Sequence, residues 1–75
     1  MYYKISNEFR IRTINKNLVF VNKFKPNELY VVENPHNIIK ISNDHTYIIV
    51  NKSKALEMNM IDILNDLKDE NIIGV

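Results

Sequence analysis

Apolar and polar residues alternate along FRIRTI, where Phe9, Ile11 and Thr13 share one side and Arg10 and Arg12 the other. A period of two sends successive side chains to opposite faces, so this run predicts a half-buried antiparallel strand with a basic outer face. Leu18 to Phe24 is apolar at nearly every position until Asn22, the pattern of a central strand covered on both faces. Glu28 to Val32 supplies a third strand at the edge, with Leu29 and Val31 on one face and Tyr30 and Val32 on the other. Asn15, Lys16 and Asn17 separate the first pair and Lys25, Pro26 and Asn27 the second, both suited to tight turns. The period then changes. In MNMIDILNDLKDENII, Met60, Ile63, Leu64 and Leu67 form one helical face. Asn59 stands where it can cap that helix, and Asp62 lies in the first turn, where a carboxylate is favoured. Ile72 and Ile73 are expected to dock the end, with Gly74 as terminator.

The middle of the chain supports two readings. Asn34 followed by Pro35 matches a helix start, because Asn can cap free amides and proline loses no hydrogen bond at the first helical position. This predicts a short helix from Pro35 to about Ser42. Beyond it, Ile48, Ile49, Ala55 and Leu56 recur at seven-residue spacing, as in a helix from about His45 to Leu56. Alternatively, IIKIS and HTYIIV flank Asn43 and Asp44 as the arms of a β-hairpin rich in β-branched residues, and local propensity favours this. The fold class is α+β in both cases. One form is a three-stranded antiparallel sheet followed by three helices; the other is a five-stranded antiparallel sheet with one C-terminal helix. Their helix contents differ widely.

At 75 residues the chain is read as one domain, residues 1–75. It has no cysteine, hence no disulfide framework and no thiolate nucleophile or metal ligand, and it reads as cytosolic. No apolar run is long enough for a signal peptide or a membrane span, so no membrane partner is expected. Residues 1–25 carry Lys4, Arg10, Arg12, Lys16, Lys23 and Lys25 against Glu8, whereas residues 60–75 carry Asp62, Asp66, Asp69 and Glu70 against Lys68. The net charge of +1 therefore conceals a basic first part and an acidic last helix.

Catalytic chemistry finds little to work with. His36 and His45 are the only histidines, too few and too loosely spaced for a zinc site. Ser42, Asp44 and His45 are too close in sequence to meet the geometry of a catalytic triad. The single glycine, Gly74, excludes a glycine-rich phosphate loop, and the carboxylates of the last helix fall on its solvent side. The chain is therefore read as a non-enzyme without metal or cofactor. Nucleic-acid binding would rest on Arg10, Arg12 and Lys23, because the best-defined helix is acidic and would repel phosphate. The third strand is the stronger candidate: its outer edge can accept a guest peptide by strand addition, with the last helix as the second wall, unless YYKIS at residues 2–6 pairs there first. The same edge would also allow a homodimer.

FRIRTINKNLVFVNKFKPNELYVVENP and MIDILNDLKDENII together resemble the PqqD-like domains known as RiPP recognition elements, which bind leader peptides of ribosomally made natural products. The likeness covers about residues 8–74 and is greatest to small stand-alone members that work beside radical SAM maturases. It implies a winged helix-turn-helix and a leader peptide added as a fourth strand along Glu28 to Val32. The implied strand wall is Leu29, Tyr30, Val31 and Val32, and the implied helix wall is Ile61, Leu64, Asn65 and Lys68. Lys23, Lys25 and Lys68 would then steer an acidic leader, and the chain would present its precursor peptide to the maturase. The alternative from another class is a small winged-helix nucleic-acid-binding regulator or phage-type inhibitor protein.

Overall fold

The computed structural model describes residues 1–74 and is α+β, with two antiparallel sheets and two α-helices. The first strand, β1 (Tyr2–Ile5), is followed by β2 (Phe9–Ile14), β3 (Asn17–Asn22) and β4 (Leu29–Glu33). A single 3-10 turn, Pro35–Asn37, leads to β5 (Ile39–Ile41) and β6 (Tyr47–Val50). The helices α1 (Lys52–Glu57) and α2 (Ile61–Asp69) then precede the short β7 (Ile73–Gly74). One sheet has the order β2-β3-β4 and the other β5-β6-β1-β7.

The three strands expected from the first part of the chain form, with β3 in the centre. Ile14 pairs with Asn17, so Asn15 and Lys16 alone make the turn, with φ of 50° and 66°. Positive φ at both central residues matches the twist of the flanking strands. Phe9, Ile11, Leu18, Phe20 and Val32 enter the core. Only one face of β3 is covered, however: Val19 and Val21 on the other remain half-buried, so the expectation of burial on both sides is corrected.

The helix expected from Pro35 to Ser42 does not form. Asn34 caps nothing; its side chain is buried and meets both backbone polar groups of one residue, donating from Nδ2 to the Ile39 carbonyl at 2.8 Å and accepting from the Ile39 amide at 2.9 Å. His36 and Asn37 have φ of 55° and 52°, which stops the turn after three residues. The β-branched residues that follow make the hairpin β5–β6, with Ile39 opposite Val50 and Ile41 opposite Ile48. The helical reading of residues 45–56 holds only for α1, and the winged arrangement of three helices is not what these residues form. The alternative of a sheet with a C-terminal helix lies nearer, with its strands divided between two sheets.

YYKIS does form a strand, but β1 lies between β6 and β7 rather than against β4. Ile5, Ile39, Ile48, Val50 and Ile73 from this sheet join the residues of the other sheet and Leu64, Leu67 and Ile72 in one core.

Asparagine ends both helices. Asn59, expected to cap α2, instead follows α1 with φ 57°, while the Met60 amide donates to Ala55 at 2.8 Å and the Asn59 amide to Leu56 at 3.3 Å. Asn71 repeats this after α2 with φ 58°: Ile72 donates to Leu67 at 2.9 Å and Asn71 to Lys68 at 3.0 Å. These paired bonds satisfy the last helical carbonyls with one left-handed residue, a conformation asparagine tolerates better than most. Asn71 is thus the terminator of α2, and Gly74 pairs with Lys4 in the sheet.

Two substitutions test this account. Asn34→Ala leaves the buried amide and carbonyl of Ile39 without that partner and is expected to lower the unfolding free energy by about 2–4 kcal/mol, read from urea midpoints. Lys16→Gly removes the side-chain clash of a left-handed residue and is expected to raise it by about 0.5–1 kcal/mol.

Candidate functional site

The β3–β4 register fixes which peptide groups of β4 are free. Asn22 donates its amide to Glu28 at 3.1 Å, and Phe20 and Leu18 stand opposite Tyr30 and Val32. Bonded and non-bonded pairs alternate in an antiparallel ladder, so Tyr30 and Val32 bond to β3 while the amides and carbonyls of Leu29 and Val31 turn outward. Since β4 ends its sheet, these groups line an open edge.

Beside that edge lies a cavity of about 180 Å³ between β4 and α2. Tyr30, Val31 and Val32 form one wall and Ile63, Asp66, Leu67 and Glu70 the other. The Tyr30 hydroxyl donates to Glu70 Oε2 at 3.2 Å across its mouth, and its ring meets Phe9 edge-on with centroids 6.3 Å apart. Partial desolvation, then the Glu70 carboxylate, raises the Tyr30 pKa above the ordinary phenol value. Leu29 and Val31, both more than half exposed, continue the apolar surface onto the outer face of the sheet, where Val21 and Val19 stand opposite them.

Of the residues assigned to the groove from sequence, Tyr30, Val31 and Val32 line this cavity and Leu29 flanks it. Ile61, Leu64, Asn65 and Lys68 do not line it. Leu64 is buried in the core, Ile61 packs against the core, Asn65 is exposed, and Lys68 Nζ lies 5.8 Å from the centroid of the Tyr3 ring. The stripe that does line it has the same spacing moved two residues along, about 200° around the helix. Ile63, which spacing groups with the buried Met60, Leu64 and Leu67, is 37% exposed at the cavity. The only local signal for this wall was the pair Asp66 and Glu70, one turn apart.

A second and larger cavity, about 440 Å³, follows the opposite edge of the same sheet, along β2 and the turn between β5 and β6. Arg10, Arg12, Lys23 and His45 all line it. The turn is held by Asp44, whose Oδ1 accepts from Ser42 Oγ at 2.8 Å, from the Thr46 amide at 3.1 Å and from Thr46 Oγ1 at 2.7 Å. Those bonds, Thr46 first, pull the Asp44 pKa below its ordinary value. Ser42 and Asp44 are thus committed to shaping a turn.

No group of three or more His, Asp or Glu side chains among the described residues is arranged to hold a metal ion. No helix among them is long and apolar enough to cross a membrane. Comparisons with family models, curated proteins and solved structures return no match.

The Asp44 bonds carry a pH dependence. Because the folded pKa is depressed, the stabilisation is fully present above the unfolded carboxylate value of about 4 and is lost as pH falls through the lower folded value. The amide resonance of Thr46 is expected to shift across that acid range, and Asp44→Asn to abolish the titration.

Proposed function

We propose that the chain is a non-catalytic peptide-binding protein that takes up an extended segment as an added strand along β4. The observation that carries this reading is the open β4 edge, with its outward peptide groups at Leu29 and Val31, beside an apolar cavity. An added strand presents its side chains alternately to the two faces of the sheet. On one face they meet Leu29, Val31, Val19 and Val21; on the other they enter the space between Tyr30 and Ile63. Backbone pairing provides affinity, and the two faces provide selectivity.

The resemblance to RiPP recognition elements supplies the identity of the guest: the leader region of a ribosomally made precursor, presented to a radical SAM maturase acting on its remainder. Tethering the precursor in this way raises its effective concentration at the maturase. Asp66 and Glu70 at the cavity favour a guest that carries lysine or arginine beside its apolar anchor. This replaces the acidic leader expected from Lys23, Lys25 and Lys68, since Lys23 lies at the other cavity and Lys68 beside Tyr3. The reading of the chain as a nucleic-acid-binding regulator or phage-type inhibitor draws no support from α2 and its cap, which carry Asp62, Asp66, Asp69 and Glu70.

Titration with the leader of a precursor encoded beside this gene is the direct test, and absence of binding at about 50 μM overturns the reading. Val31→Pro removes an outward amide without touching the β3 ladder, so it is expected to weaken binding by about tenfold or more at an unchanged urea midpoint. Val31→Thr should bind nearly as the native chain does.

A further inference from the structure

We propose that the cleft along β2 is a binding site for a nucleotide phosphate, separate from the β4 groove and independent of the peptide-binding reading. Its volume, about 440 Å³, is in the range that holds small ligands. Arg10 and Arg12 project from the same face of β2, about 6.8 Å apart at two residues of strand rise. Lys23 joins them where β3 ends, its amide held by the Glu8 carbonyl at 2.8 Å. These three cationic side chains share the cleft with one carboxylate, Asp44, whose Oδ1 is already taken by three donors of its own turn.

The backbone adds a donor. In the β2–β3 register, Lys23 bonds to Glu8 and Val21 stands opposite Arg10, so the alternate residue Ile11 turns its amide away from β3. As β2 is an edge strand and Ile11 lines the cleft, that amide is available to a phosphoryl oxygen between the two guanidinium groups. Ile5 and Phe9 at the cleft floor are buried, so a base stacks instead on the guanidinium plane of exposed Arg10 or Arg12, a contact that a bare anion would not need. A nucleotide combines a charged group for one cation with a flat π face for the guanidinium plane of another. Such a unit is supplied either by a free mononucleotide or by one position of a single strand.

The test is amide-resolved NMR of the native chain with AMP and, separately, with an oligothymidylate of about ten residues. Shifts centred on Ile11, Lys23 and Thr46 are expected from at least one of them. AMP alone sufficing assigns the site to a free nucleotide; saturation by the oligomer only assigns it to a single strand. For the oligomer, raising salt from about 50 to 200 mM should weaken binding, and Arg10→Gln and Arg12→Gln should each lower the slope of log affinity against log salt by about 0.7. For AMP, the double variant should lose about tenfold or more in affinity. Lys52→Gln and Lys54→Gln on α1, outside the cleft, should change neither. The proposal is overturned if neither ligand shifts the cleft amides, or if the α1 variants weaken binding as much as the arginine variants do. Because both arginines are exposed, the variants should keep the native spectrum, and the shift map of the native chain decides the question without them.

Discussion

One carboxamide ties the end of the three-stranded sheet to the hairpin of the other. Asn34 stands at the end of β4 and presents a donor and an acceptor in the geometry of a peptide unit, giving Ile39 the pairing that a neighbouring strand would otherwise supply. With Ile39 held, Val50 is set opposite it in the hairpin. Val50 in turn exchanges hydrogen bonds with Met1, donating to its carbonyl at 2.8 Å and accepting from its amino group at 3.0 Å. Three successive contacts thus run from a side chain just beyond β4 to the start of β1. Leu64, Leu67 and Ile72 can close the core only because both sheets are already in place around them.

Elements whose signals are local could be read from the chain alone. Strands β2 and β4 declare themselves by alternation, β3 by its apolar run, all three by turn residues that suit short connections, and α2 by its apolar spacing. Where one residue can serve two structural purposes, the reading fails. Asn34 before Pro35 looks like a cap because the groups that satisfy a helix terminus are those that satisfy a buried strand end. Asn59 lies between two helices and serves the first, although the sequence pattern favours the second. The neighbour that decides the fate of residues 39–50 is β1, far away in the chain. The β4 wall of the groove was legible for the same reason as β4 itself. Its helical wall was not, since rotation of α2 about its own axis depends on how Leu64 and Leu67 seat against both sheets.

The two free edges of the three-stranded sheet are chemically unlike. Arginines attend β2, whereas the carboxylates of Asp66 and Glu70 stand near β4. Exposed edges invite indiscriminate pairing, and charged side chains are one means by which proteins limit it. Here opposite charges at the two edges give each a different preference in what it admits. The separation of charge along the sequence, basic first and acidic last, becomes in the folded chain a separation across a single sheet.

Asparagine at the left-handed positions affects the unfolded chain as well as the folded one. Glycine would fit Asn59 and Asn71 with less steric cost, but it would also widen the set of conformations lost on folding. A chain of 75 residues with one glycine keeps its denatured ensemble comparatively narrow. Part of what holds this small fold together is therefore absent from any native contact and lies in the limited freedom of the state it leaves behind.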